Sequence, residues 1–271
     1  MTPGGALDLD AYLARIGFHG ARTKTFETLA AILGAHMAAI PFENLDVLLG
    51  RPIRLDLAGV QEKLVRARRG GYCFEHSTLL KAALEQIGFA PVAHSARVTI
   101  IFPRAEAPRT HMFLTVRLPE GTFVLDPGFG ALAPRVPLPL VDGAEARVGH
   151  EANRMVRDGA LWVMQAARAG TWVDGWVSPL DHDYPIDFEL ANFYTYANPR
   201  SAFTQRLMLR ALTPDGRLSV MNRDVTKVRG SDSEAMRLHD RAALRALLVE
   251  HFGFDLPEVE QLRVPSEPEW A

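Results

Sequence analysis

Residues 109–116 read Arg109-Thr110-His111-Met112-Phe113-Leu114-Thr115-Val116, and residues 123–130 read Phe123-Val124-Leu125-Asp126-Pro127-Gly128-Phe129-Gly130. Both are short runs rich in β-branched and aromatic residues, and Pro119-Glu120-Gly121 between them has the chemistry of a turn. The pattern predicts an antiparallel hairpin with strands over 111–118 and 122–126. His111 opens the first strand and Asp126 closes the second, so the hairpin brings both to one open end. They share a face if the turn has two or four residues, or if a bulge corrects an odd loop.

The texture differs on either side of this hairpin. Upstream, about the first 90 residues read as helix: Leu9, Tyr12, Leu13 and Ile16 fall at helical spacing, as do Phe26, Leu29, Ile32 and Leu33 before Pro41 interrupts. A further helix follows Gly70-Gly71, with Leu79, Leu80, Ala83, Leu84 and Ile87 on one face and Gly88 at its end. Downstream, runs at 93–102, 154–165 and 171–177 read as β, with Arg157-Asp158-Gly159 as a turn, which predicts hairpins closing into a barrel or sandwich. Residues 179–198, rich in Pro, Asp and aromatics, read as a loop. Two strands flank Thr213-Pro214-Asp215-Gly216, and a last amphipathic helix starts near Asp240. Helices, then strands, then a mixed tail predict an α+β chain rather than a doubly wound sheet.

Composition bounds the function. Of 271 residues, 48% are hydrophobic and 23% charged, which excludes disordered, coiled-coil and collagen-like chains. Thirty Lys+Arg against 32 Asp+Glu leave a net charge of -2, so no nucleic-acid footprint is expected. No basic stretch precedes an apolar run near Met1. The longest apolar stretch, around 29–40, contains His36 and falls short of a membrane span, so a soluble cytoplasmic protein without membrane partners is expected. The single cysteine, Cys73, excludes an intramolecular disulfide framework and a Cys-rich metal site.

Arg69-Gly70-Gly71-Tyr72-Cys73-Phe74-Glu75-His76 puts that thiol after a flexible turn and in the first turn of the next helix. Unpaired N–H groups and the positive end of the helix dipole favour an anion there, and the thiolate is the nucleophilic form. The glycines allow close approach of a substrate to the backbone, whose free N–H groups can receive an oxyanion. A thiol nucleophile needs an imidazole, best held by a carboxylate. His76, three residues on, lies along the same helix and reads as a helix-surface or packing histidine, whereas His111 and Asp126 meet the requirement from the hairpin. Cys73, His111 and Asp126 therefore form a candidate catalytic triad. The same order serves a thiol hydrolase or a transglutaminase-like enzyme, and a ligand-binding protein with an inert Cys73 is the non-catalytic alternative. A metal at Cys73-x-x-His76 lacks further thiols, and no metal is expected.

The segment 69–76 resembles the active-site signature of the arylamine N-acetyltransferases. Ile40-Pro41-Phe42-Glu43-Asn44-Leu45, Arg109-Thr110-His111 and the Asp-x-Gly-Phe-Gly at 126–130 match in order and spacing, over about the first 200 residues. The resemblance implies three domains: a helical bundle with the cysteine (1–90), a β-barrel with His and Asp (91–190), and a connecting segment with an α/β lid (191–271). Together they hold a cysteine-protease or transglutaminase-like catalytic core. It also implies acetyl-CoA as donor and ping-pong transfer to arylamines, arylhydrazines or N-hydroxyarylamines, in the manner of xenobiotic metabolism. Phe129 and Phe203 are then expected at the aryl ring, with Phe42 and Tyr72 close by, and Thr110, Gly128 and Gly130 at the CoA side. Two residues depart from the family pattern. Ser77 stands where Asn is usual, and Pro127, which lacks an N–H, stands where Val is common; altered kinetics or selectivity is expected from them.

Overall fold

A computed structural model describes residues 5–213, 216–230 and 232–270. The chain begins with α1 (Leu9–Ile16), where the Asp8 side chain accepts the Ala11 N–H at 3.0 Å and Gly17 ends the helix at φ 66°. Helix α2 (Phe26–Ala39) is capped by Thr25 and stops before Pro41. A two-residue strand β1 (Phe42–Glu43) follows, then α3 (Leu45–Leu48) and α4 (Leu57–Gln61), which runs on as a π-turn to Arg66. Helix α5 (Cys73–Ile87) closes the helical part and ends at Gly88, as its pattern predicts.

Eight strands come next: β2 (Pro91–Val98), β3 (His111–Leu118), β4 (Gly121–Leu125), β5 (Leu138–Pro139), β6 (Glu145–Val148), β7 (Glu151–Asp158), β8 (Leu161–Arg168) and β9 (Thr171–Ser178). They form one antiparallel sheet in the order β5-β4-β3-β2-β9-β8-β7-β6. Its first strand packs back on β6 and β7, so the sheet is a nearly closed barrel. Phe113, Val124, Met155, Met164 and Trp176 fill the interior. Strand β3 is apolar on both faces because Phe113 points into the barrel while Met112, Leu114 and Val116 join the cluster shared with α5.

The rest of the chain adds α6 (Pro185–Ala197), α7 (Ala202–Gln205), β10 (Met208–Thr213), β11 (Gly216–Met221), β12 (Asp224–Arg229), β13 (Asp232–Arg237) and α8 (Arg241–Leu247). The second sheet has the order β1-β10-β11-β12-β13, so Phe42 and Glu43 leave the helical segment to edge it. Leu209, Leu218 and Val220 pack on one side of it with Leu244, Leu248 and Val264.

The α+β reading and its barrel agree with this architecture, but several elements do not match the sequence expectations. The 154–165 run is two strands, β7 and β8, joined at Gly159 (φ 60°). The 93–102 run stops at Val98, and Ile100 and Ile101 are exposed. Residues 179–198 are not all loop. Pro185 at the first helical position and Asp187, which accepts the Tyr184 N–H at 2.8 Å, start α6. The tail holds two further strands, β12 and β13. The turn at Pro214-Asp215 lies outside the described residues. Among the described residues no helix is long and apolar enough to cross a membrane.

Candidate active site

The turn between β3 and β4 has two residues, since Leu118 pairs with Gly121. The register then puts Asp126 opposite Phe113, one step along the same face from His111. The parity requirement is met: His111 Nε2 and Asp126 Oδ2 are 2.9 Å apart, both fully inside the protein. Asp126 Oδ2 also accepts the Trp176 Nε1–H at 2.8 Å, while Oδ1 has no partner. Trp176 stacks on Phe113 at 4.2 Å, so the barrel core itself orients the carboxylate. With Nε2 committed to Asp126, Nδ1 is the nitrogen left for Cys73, which interacts with this imidazole. Burial acts to lower the His111 pKa, but Asp126 and Cys73 together outweigh it and raise it to about 10.

Cys73 is the first residue of α5. Its Sγ lies 3.9 Å from the Thr110 carbonyl, next to His111, and Ser77 Oγ one turn on donates to the Met112 carbonyl at 3.0 Å. Helix and hairpin are thus tied on both sides of His111, and the departure Ser77 serves this tie. Gly128 sits directly against Cys73, since a Cβ there would be 2.3 Å from Cys73 Cα. Gly128→Ala is expected to displace Cys73 and lower any turnover through it by about 10²-fold, with a stability loss of about 1–3 kcal/mol from overpacking. Steady-state rates and urea midpoints read both, and an unchanged rate would show that the contact has slack.

The turn before Cys73 is braced by buried ions. Arg69 donates to Glu43 Oε1 from Nη2 at 2.7 Å and to Asp46 Oδ1 from Nη1 at 3.0 Å. Lys63 Nζ reaches Asp46 at 2.9 Å and Glu75 at 2.8 Å. Glu75 Oε2 in turn accepts the Tyr72 N–H at 3.0 Å. A Cβ at Gly70 would lie 2.1 Å from the Pro41 carbonyl oxygen, so only glycine lets this turn pass β1. Burial lowers and the three carboxylates raise the Lys63 pKa, and the carboxylates prevail. Lys63→Met would leave Glu75 without its ion pair and Glu43 and Asp46 with Arg69 and Arg51, and is expected to cost about 3–5 kcal/mol of stability. Urea denaturation measures it, and a loss below about 1 kcal/mol would mean that the network is solvated.

His76 is buried and turned away from the cleft. Its Nε2 faces the Pro41 carbonyl at 3.2 Å, which can only accept, so its Nδ1 accepts from His36 Nε2 at 2.8 Å, and His36 Nδ1 accepts from Tyr12 OH at 3.0 Å. Every polar atom of this chain is satisfied with both rings neutral, and burial accordingly lowers the His76 pKa to about 4.

Cys73 and His111 open onto a cavity of about 870 Å³ between the barrel, α6–α7 and the second sheet. Phe42, Phe129 and Phe203 line it, as do Thr110, Gly128 and Gly130. Phe129 lies 4.9 Å from the His111 ring and Phe42 lies 6.2 Å from Phe203. Tyr72, expected near the aryl ring, is not on the wall. Its hydroxyl is tied to Asn192 in the core and its ring edge supports Phe203 from behind at 5.3 Å. Sequence reasoning missed three residues with a part here. Asn44 donates to the carbonyls of Phe203 and Arg206 and accepts the Met208 N–H, which positions Phe203. Trp176 holds Asp126, and Arg210 reaches the cavity wall. Asn44 lay inside the quoted 40–45 motif; Trp176 and Arg210 have no local signal. Among the described residues no cluster of three or more His, Cys, Asp or Glu is arranged to hold a metal ion.

The sequence model of the N-acetyltransferase family matches residues 25–261. The arylamine N-acetyltransferase of Escherichia coli K12 is 36% identical over 254 residues, covering 93% of this chain and 90% of that protein. An enzyme of Salmonella typhimurium, named arylamine N-acetyltransferase / N-hydroxyarylamine O-acetyltransferase, is 34% identical with the same coverage. The Mycobacterium marinum arylamine N-acetyltransferase in complex with CoA superimposes with a TM-score of 0.88 at 32% identity, over 93% of this chain and 94% of that one. With fold, relatives and family model in agreement over nearly the whole length, this chain belongs to the arylamine N-acetyltransferase family of acyltransferases.

Proposed function

We propose that this protein transfers the acetyl group of acetyl-CoA to the nitrogen of arylamines and arylhydrazines, and to the oxygen of N-hydroxyarylamines, by a ping-pong reaction through acetyl-Cys73. The observation that carries this reading is the buried His111 held by Asp126 beside Cys73 at the floor of an aromatic-lined cavity. The CoA bound to the Mycobacterium marinum relative supports the choice of donor.

In the first half-reaction the Cys73 thiolate, paired with the imidazolium of His111, attacks the thioester carbonyl. The backbone N–H of Cys73, which has no partner within its helix, receives the oxyanion. The C–S bond to CoA breaks as the bond to Cys73 forms, and His111 supplies the proton that CoA carries away. In the second, the amine nitrogen attacks acetyl-Cys73, its proton passes to His111, and the thiolate is regenerated. An arylamine suits this step because its nitrogen is neutral near pH 7, whereas an alkylamine arrives protonated. Phe129, Phe203 and Phe42 hold the aryl ring, and Thr110, Gly128 and Gly130 the CoA chain. The three-domain division at about 90 and 190 is part of the same reading; the barrel interior and the second sheet each have a buried cluster, while the helical cluster runs across 90 onto β3 and β4.

Incubation with acetyl-CoA and no acceptor tests the reading directly. The protein should gain one acetyl mass, located on Cys73 by peptide mapping, and release one equivalent of CoA. No adduct and no CoA release would sink it in favour of a hydrolase or transglutaminase-like activity.

A further inference from the structure

The face of the second sheet that looks into the cavity carries a buried guanidinium whose nitrogens make no hydrogen bond among the described residues. Along β1-β10-β11-β12, Phe42, Arg210, Ser219 and Thr226 stand opposite one another, so their side chains project to one face. All four line the cavity that holds Cys73 and His111. Arg210 is 5% exposed, and its Nε, Nη1 and Nη2 are all buried without a hydrogen-bond partner.

The carboxylate nearest to it is already spent. Glu151 Oε1 is 4.0 Å from Arg210 but pairs with Arg217, and Glu151 Oε2 faces Arg135 at 3.8 Å. Arg168, which shares the cavity wall, donates to the Ala131 carbonyl and adds repulsion. Four guanidinium groups therefore share one carboxylate. Burial first of all, and repulsion from Arg217, Arg168 and Arg135 against the pull of Glu151, lower the Arg210 pKa to about 10. The wall as a whole repeats the imbalance: Arg168, Arg200, Arg206 and Arg210 line it with Asp224 as the one carboxylate among the described lining residues, and Asp224 is 3.8 Å from Arg237. A guanidinium presents a planar fork of donors that matches a carboxylate or phosphate. Leaving its donors buried without a hydrogen bond, with only a distant share of Glu151, is costly, so its presence calls for a ligand group.

We propose that Arg210, with Arg168 and the Ser219 hydroxyl beside it, is a subsite for an oxyanion group, carboxylate or phosphate, on a ligand that occupies the cavity. This rests on the acetyl-transfer reading and extends it to substrate class. Two ligands of that reaction can bring such a group: an aromatic amine with a ring carboxylate, and the phosphates of the CoA donor.

The test compares the wild type with Arg210→Met and Arg210→Lys over four pairs, using acetyl-CoA or phosphate-free S-acetyl-pantetheine as donor and 4-aminobenzoate or neutral 4-methylaniline as acceptor. If the carboxylate is the ligand, Arg210→Met lowers the kcat/KM ratio of 4-aminobenzoate to 4-methylaniline by about tenfold or more; if the phosphates are, it lowers the ratio of acetyl-CoA to S-acetyl-pantetheine by as much. Arg210→Lys, a point charge without the fork, falls between. Both ratios staying within about twofold of the wild type would overturn the subsite. Absence of transfer by the wild type with every pair would overturn the acetyl-transfer reading instead. A measurement on the wild type alone covers variants that fail to fold: 4-methylbenzoate or inorganic pyrophosphate should raise Tm by about 2 °C or more over sodium chloride of equal ionic strength, and no rise with either overturns the proposal.

Discussion

Cys73→Ala is expected to lower acetyl transfer by about 10³-fold or more while leaving the protein folded. In the proposed reaction the thiol carries the acetyl, and the chain has no second cysteine to take over. Removing Sγ deletes a single atom at the edge of a cavity, so the stability cost should stay near 1 kcal/mol or below, roughly that of a buried methyl. Rates with acetyl-CoA and an arylamine, urea midpoints and intact mass after incubation with acetyl-CoA measure the three consequences. In the wild type, iodoacetamide should modify one equivalent per chain and inactivation should follow it. Residual transfer within about tenfold of the wild type would remove Cys73 from the reaction.

Asp126→Asn should produce the second largest loss, about 10³-fold in kcat, without unfolding the barrel. Its Oδ2 is the acceptor for both His111 and Trp176, and its Oδ1 has no partner, so an amide nitrogen at the Oδ1 position displaces no hydrogen bond. What goes is the charge. The His111 pKa is raised to about 10 in the intact site, so His111 keeps its proton as the pH rises and gives it up only near that value. The paired thiolate and imidazolium should therefore survive into alkaline solution and disappear through about pH 10. Without Asp126 the lowering effect of burial is opposed by Cys73 alone, and the alkaline limb moves down. The pH dependence of alkylation by iodoacetamide and of kcat/KM reads this shift. A variant with the wild-type alkaline limb would show that Asp126 does not hold the imidazolium.

Much of the site follows from adjacency in sequence. The hairpin is local: two short strands joined across Pro119 and Glu120 bring residues fifteen apart to one open end, and the period of two decides which face they share. The position of Cys73 is local as well, because Gly70 and Gly71 precede the first turn of α5. Helices α1, α2, α5 and α8 were readable for the same reason, each having its cap residue and its apolar spacing on a short stretch. The start of α6 was missed because aromatics and Asp around it resemble a loop, and the signal lies in Pro185 and the reach of Asp187 back to Tyr184.

The sequence by itself determined the candidate residues Cys73, His111 and Asp126 and the α+β order, since the position of each rests on near neighbours or on the period of one element. Only the tertiary structure decided what surrounds them. Trp176 reaches Asp126 from fifty residues away, Asn44 fastens Phe203 from across the molecule, and Tyr72, adjacent to Cys73 in sequence, turns into the core. Arg210 becomes a cavity residue only because β1, a two-residue strand from the helical segment, pairs with β10 and puts Phe42 opposite it. No window along the chain contains these pairs, because the closure of the barrel and the pairing of distant strands create them, and the free energy of burial rather than local propensity sets that arrangement.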